Sequence, residues 1–95
     1  YYILLALYHP MHGYGIMQRV QALSGGRVTL GAGTLYGALS TLSEKGWIAP
    51  YGGTVGARRK EYTITQSGRA AVEAEISRLE ELLNNGRGIV GGALQ

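Results

Sequence analysis

The chain of 95 residues has no cysteine, no aspartate and only two prolines. Without thiols it forms no disulfides and no thiolate metal sites, which fits a cytoplasmic location. No nucleophile stands near a base in sequence, so enzymatic chemistry is not expected. A long apolar run is also missing. The uncharged opening, Tyr1 to Tyr8, is far short of the roughly 20 residues that span a bilayer, and no signal-peptide pattern is present. No membrane partner is expected. The chain begins at Tyr1 rather than Met, so upstream sequence is expected. His9 and His12 flank Pro10 without a neighbouring carboxylate, a poor metal set. Gly31-Ala32-Gly33 lacks the Lys-Ser/Thr ending of a nucleotide cradle. Neither a cofactor nor a metal is expected.

What the chain does have is an uneven charge. The net charge is +3, but the part through Val72 carries +5 and the part from Glu73 carries −2. A basic body with an acidic end favours a polyanionic partner on one side.

The apolar pattern gives the order of elements. Tyr1 to Tyr8 reads as the end of a buried helix stopped by Pro10. A second helix runs from Gly13 or Tyr14 to about Ser24, with Ile16, Val20 and Leu23 on one face, and Gly25-Gly26 ends it. Arg27 to Leu30 reads as a short extended piece. A third helix covers Gly33 to Lys45 and closes at Gly46. Trp47 to Tyr51 and Arg58 to Thr65 read as two strands of a hairpin, with Pro50 requiring an edge position. A last helix begins at Thr65 or Ser67 and runs to Leu83, where Asn84-Asn85-Gly86 is expected to stop it. The expected fold is mostly α with a small β-hairpin (α+β), a winged helix-turn-helix with a C-terminal dimerisation helix. Its parts are a DNA-binding domain over 1–66, the dimerisation helix over 67–85 and a mobile glycine-rich tail over 86–95.

The third helix is the expected DNA reader. Leu35, Ala38, Leu39 and Leu42 form its core stripe. Gly33, Gly37, Ser40 and Thr41 lie on the other face, with Tyr36 at the margin. A Gly inside a helix costs about 1 kcal/mol against Ala, so an exposed pair points to close approach by another backbone. Thr34 and Tyr36 lie in the first turn, where free N–H groups and the helix dipole favour a phosphate. Tyr36 has two readings: contact with phosphate or a thymine methyl, or packing on the second helix. Ser40 and Thr41 offer hydroxyls to base edges. No Arg, Asn or Gln stands on this face, so shape and backbone contacts should contribute more than direct base reading.

The wing supplies charge. Arg58, Arg59 and Lys60 are candidates for phosphate or minor-groove contact, and strand alternation sends Arg59 to the face opposite the other two. Arg27 and Lys45 are possible additional phosphate contacts. Tyr14 is either a phosphate donor or a core residue.

On the last helix Val72, Ile76, Leu79 and Leu83 step by four, three and four, an a/d seam widened by Leu82. More apolar surface stands there than a small winged domain covers, so these five residues are the expected homodimer interface.

His12-Gly13-Tyr14-Gly15-Ile16, Gly33-Thr34-Leu35-Tyr36, Glu44-Lys45-Gly46-Trp47-Ile48, Arg59-Lys60-Glu61-Tyr62-Thr63-Ile64-Thr65 and Gly68-Arg69 together resemble the PadR-like transcriptional regulators, over roughly residues 1 to 83. The resemblance implies a homodimeric repressor that binds double-stranded operator DNA and is released by a small aromatic or apolar effector. Two other readings stay open. One is a winged-helix protein–protein module that binds no DNA. The other is a small-molecule sensor in which Tyr8, Trp47 and Tyr51 line a pocket.

Overall fold

The computed structural model describes residues 1–52 and 60–92. Its elements are α1 (Tyr2–Ala6), β1 (Met11–His12), α2 (Gly13–Leu23), α3 (Ala32–Glu44), β2 (Ile48–Tyr51), β3 (Glu61–Ile64) and α4 (Gln66–Gly92). Three helices followed by a hairpin give the expected winged helix-turn-helix. The sheet has one strand more than the hairpin, in the order β1-β3-β2.

Core residues come from every element except β1. Ile3, Leu4, Ala6 and Leu7 meet Ile16 and Val20 of α2, Leu35 and Leu39 of α3, Ile48, Ile64 and Val72. The expected spacing on α2 holds for Ile16 and Val20, whereas Leu23, in the last position of the helix, is exposed.

Two helix ends follow the glycine signals. Gly25 and Gly46 both have positive φ. After α2, Gly25 N–H donates to Ala22 and Gly26 N–H to Gln21; after α3, Gly46 N–H donates to Ser43 and Trp47 N–H to Leu42. Both pairs make the Schellman pattern, which satisfies carbonyls at the end of each helix.

The extended piece expected at Arg27–Leu30 is not a strand. It is held instead by buried Ser24, whose hydroxyl accepts the Val28 N–H at 2.9 Å and donates to the Gln21 carbonyl at 3.2 Å. The third strand is β1, antiparallel to β3 with Met11 opposite Tyr62 and His12 opposite Glu61. Two residues are too short for an alternating pattern to register in sequence. β2 pairs with β3 from Ile48–Ile64 to Tyr51–Glu61, and its outer position accommodates Pro50. The segment 53–59, with the remainder of the expected wing loop and the beginning of its second strand, lies outside the described residues.

The last helix is longer than expected. Asn84-Asn85-Gly86 does not stop it, and residues 86–92 of the expected tail are helical; 93–95 lie outside the described residues. Glycine lowers helix propensity without forbidding the conformation, and extending an existing helix needs no new nucleus. Gly86 is not among the positive-φ glycines that would mark a C-terminal stop.

Candidate nucleic-acid interface

On α3 the sequence pattern sets the geometry. Leu35 and Leu39 are buried and Ala38 and Leu42 pack beside the core, so the opposite face must point outward. Gly33, Thr34, Tyr36, Gly37, Ser40 and Thr41 are all exposed. Among the described residues, a Cβ built on Gly33 or Gly37 would meet nothing within 4 Å, so no packing among them requires glycine at either position. Gly31 begins the helix without a side-chain cap, which leaves first-turn N–H groups open to an outside acceptor. Thr41 donates its hydroxyl hydrogen to the Gly37 carbonyl at 3.2 Å, so towards a ligand it is an acceptor.

The two tyrosines lie on either side of the α2–α3 junction. Tyr14 is 62% exposed and Tyr36 56%, so Tyr14 is not a core residue. Tyr36 meets its packing reading, since its ring rests on α2, while more than half of it faces solvent. A Cβ on Gly13 would stand 2.9 Å from the Tyr36 hydroxyl and 3.3 Å from its Cζ. Gly13 is therefore the seat that lets the ring lie across the beginning of α2. That beginning is fixed by His12, whose Nδ1 accepts the Gly15 N–H at 3.3 Å. The residue weighed as a metal ligand is thus an N-cap. Neither role was readable in sequence, because histidine is not among the favoured N-cap residues and the seat depends on a contact between two helices.

The charged candidates are more dispersed. Lys60 is exposed immediately before β3, while Arg58 and Arg59 lie outside the described residues. Arg27 is exposed in the α2–α3 connection. Lys45 places its Nζ 4.7 Å from the centre of the Trp47 ring. Arg69 lies 4.5 Å over Tyr8. Cations occupy one face of each ring, so two of the three aromatics considered for an effector pocket already have partners. Tyr51 stands half exposed on β2.

α4 is tied to the end of α3. The Thr65 hydroxyl donates to the Gly46 carbonyl at 2.6 Å and accepts the Gly68 N–H at 3.0 Å, which makes Thr65 the N-cap. A Cβ on Gly68 would run into the Trp47 carbonyl and into Ile64. Only glycine lets the helix approach the strand this closely.

The expected dimer stripe divides in two. Val72 is 2% exposed and belongs to the chain's own core. It drops out of the interface because it faces the domain body in the second turn of α4. Ile76, Leu79, Leu82 and Leu83 are exposed, and the stripe continues past the expected stop to Ile89 and Val90. No helix among the described residues is long and apolar enough to cross a membrane.

Comparison with known proteins places this architecture. A family model for the transcriptional regulator PadR-like family matches residues 3–74. A 37.1 kDa uncharacterized protein in transposon TN4556 of Streptomyces fradiae is 36% identical over 73 residues, 77% of this chain and 20% of that protein. The chain thus spans about a fifth of that relative's length. A PadR family transcription regulator from hypervirulent Clostridium difficile R20291 has a TM-score of 0.65 at 26% identity, over 90% of this chain and 96% of that one. A transcriptional regulator from Clostridium thermocellum has a TM-score of 0.71 at 23% identity, over 98% of this chain and 89% of that one, a likeness of fold.

Proposed function

This chain belongs to the PadR-like family of transcriptional regulators, and from that premise we propose that it is a sequence-specific DNA-binding regulator, acting as a homodimeric repressor relieved by a small aromatic or apolar effector. The observation that carries the reading is the outer face of α3. Six exposed residues, two of them glycines with open space above them, form a groove-sized surface whose one large side chain, Tyr36, lies at its margin. Thr34, Gly37, Ser40 and Thr41 approach the base edges and sugar-phosphate backbone. Tyr36, seated on Gly13, and Tyr14 donate hydroxyls to phosphates on either side of the α2–α3 junction. Lys60, with Arg58 and Arg59 of the wing, adds phosphate neutralisation. A two-fold dimer sets two α3 helices about 34 Å apart, or a multiple of that, on one face of the duplex.

Titrating salt against binding to the upstream DNA of its own gene tests this. Neutralised phosphates give a steep negative slope of log affinity on log salt, and operator exceeds random duplex by about 10³-fold or more. Equal affinity for both duplexes at every salt concentration sinks the proposal.

The exposed stripe on α4 favours a second reading, a protein–protein module without DNA binding. That reading requires Arg58→Ala with Arg59→Ala to leave function intact while Leu79→Glu abolishes it. The DNA reading requires both changes to be damaging.

A further inference from the structure

Resting on the reading of the chain as a DNA-binding homodimer, we infer that Thr65 is a positioning residue for operator recognition. Its hydroxyl ties the end of α3 to the beginning of α4 and so fixes the half-site spacing that one dimer accepts. The hydroxyl is used on both sides. It donates its hydrogen to the Gly46 carbonyl at 2.6 Å and accepts the Gly68 N–H at 3.0 Å. Gly46 is the left-handed residue that closes α3, with φ 76°, and Gly68 lies in the first turn of α4. The surrounding backbone is committed as well. Thr65 N–H donates to the Trp47 carbonyl, Arg69 N–H to the Thr65 carbonyl and Trp47 N–H to the Leu42 carbonyl. One side chain thus caps α4 and holds the C-terminal end of α3.

Leverage gives this small contact its effect. Gly68 lies against the Trp47 carbonyl and Ile64, and Val72 is buried in the core. Those contacts determine where α4 touches the domain. The Thr65–Gly46 hydrogen bond adds a second point, on the end of α3 itself, and two points set an angle. α3 has 13 residues. At about 1.5 Å per residue, its beginning, where Thr34 and Tyr36 lie, stands about 20 Å from the tie. With the far half of α4 held in a dimer, a tilt of about 10° at the tie moves that beginning by about 3.5 Å. That is roughly the 3.4 Å rise of one base pair, and each subunit adds its own shift. A loosened tie therefore lets one dimer accept half-sites at several separations.

Substitutions at position 65 separate the tie from the cap. Thr65→Ser keeps both hydrogen bonds. Thr65→Asp still accepts the Gly68 N–H, so α4 stays capped, but it cannot donate and sets a carboxylate against the Gly46 carbonyl. The probes are duplexes carrying the two half-sites footprinted upstream of the chain's own gene, at native spacing and with two base pairs inserted or removed, and a duplex with a single half-site. The parent chain and Thr65→Ser should prefer native spacing by about tenfold or more. Thr65→Asp should cut that preference to about threefold or less, with single-half-site affinity and melting temperature close to those of the parent. Thr65→Val keeps the branched shape and loses both bonds, so it should lose the preference and also melt lower. A folded Thr65→Asp or Thr65→Val chain as selective as the parent overturns the role of Thr65. Single-half-site affinity that falls in step with the preference overturns it too, because the domain itself is then damaged. A parent chain indifferent to spacing overturns the homodimer reading, and one that protects no upstream DNA overturns the DNA reading.

Discussion

Two helices of this molecule present faces that its own core does not cover, and they are bare in opposite ways. The outer face of α3 holds glycines and small hydroxyls with empty space above them. The far half of α4 holds large aliphatic side chains facing solvent. On α3 the cost is helix propensity, about 1 kcal/mol for each interior glycine. On α4 the cost is apolar area left in water, about 25 cal/mol for each Å². A face of the first kind suits a polar, deep-grooved partner that must come close. A face of the second kind suits an apolar partner that replaces water. One domain thus offers two surfaces, and the chemistry of each names a different class of partner.

The comparison breaks most completely at the joint between the two helices. Gly68→Ala drives a methyl into the Trp47 carbonyl and disconnects the end of α3 from the beginning of α4. We expect a loss of about 3 kcal/mol or more, seen as a large fall in melting temperature, with both surfaces lost together. A melt unchanged by Gly68→Ala contradicts the close approach.

Next in size is Leu79→Glu, which addresses α4 alone. Burying a carboxylate in the seam should raise the dimer dissociation constant about a hundredfold. The α2–α3 unit stays folded by circular dichroism, and operator affinity falls because two half-sites are no longer held by one particle. Retained operator affinity in a monomeric variant separates the two surfaces and removes the dimer from DNA binding.

Gly37→Leu addresses α3 alone and has a signature in two directions. The side chain points into open space, so stability is kept or gains up to about 1 kcal/mol in helix propensity. Operator binding falls by tenfold or more (about 1.4 kcal/mol), because the groove is now met by a branched side chain. Higher stability with unchanged binding assigns the bare face no role in DNA recognition.

The smallest effect lies on the exposed side of α4. Glu75 accepts two hydrogen bonds from Arg78, at 2.6 and 2.7 Å. Those bonds first, and the guanidinium charge with them, hold the Glu75 carboxyl below the ordinary carboxylate value. A lowered folded value means that the contribution is present above the ordinary carboxylate range and is lost as pH falls through the folded value. Both groups face water, so Glu75→Gln should melt only slightly below the parent chain at neutral pH. The gap should close as pH falls through the lowered folded value of Glu75. A gap that widens in acid reverses the sign and contradicts the pair.

Residues with strong local signals were the ones readable in advance. Leu35, Leu39, Ile16 and Val20 declare themselves by helical spacing; Gly25 and Gly46 declare helix ends; Pro50 declares an edge strand. The exposed side of α3 followed from the buried side without further information. What escaped was of another kind. β1 is two residues long and exists through its pairing with β3. The His12 cap depends on a local bond that histidine rarely makes, and the Tyr36 seat depends on Gly13 from another helix. The end of α4 was misplaced because glycine and asparagine read locally as a stop, while the four–three seam runs on to Val90.

By itself, the sequence determined which face of each helix is apolar, where α2 and α3 end and where charge of each sign lies, because these follow from spacing and residue type along a single segment. Tertiary structure decided which apolar residues are available to a partner. Val72 and Leu79 belong to the same stripe, yet one is 2% exposed and the other 41%. Periodicity assigns a residue to a face of its helix; only the position of the neighbouring elements determines how far along that face the domain reaches.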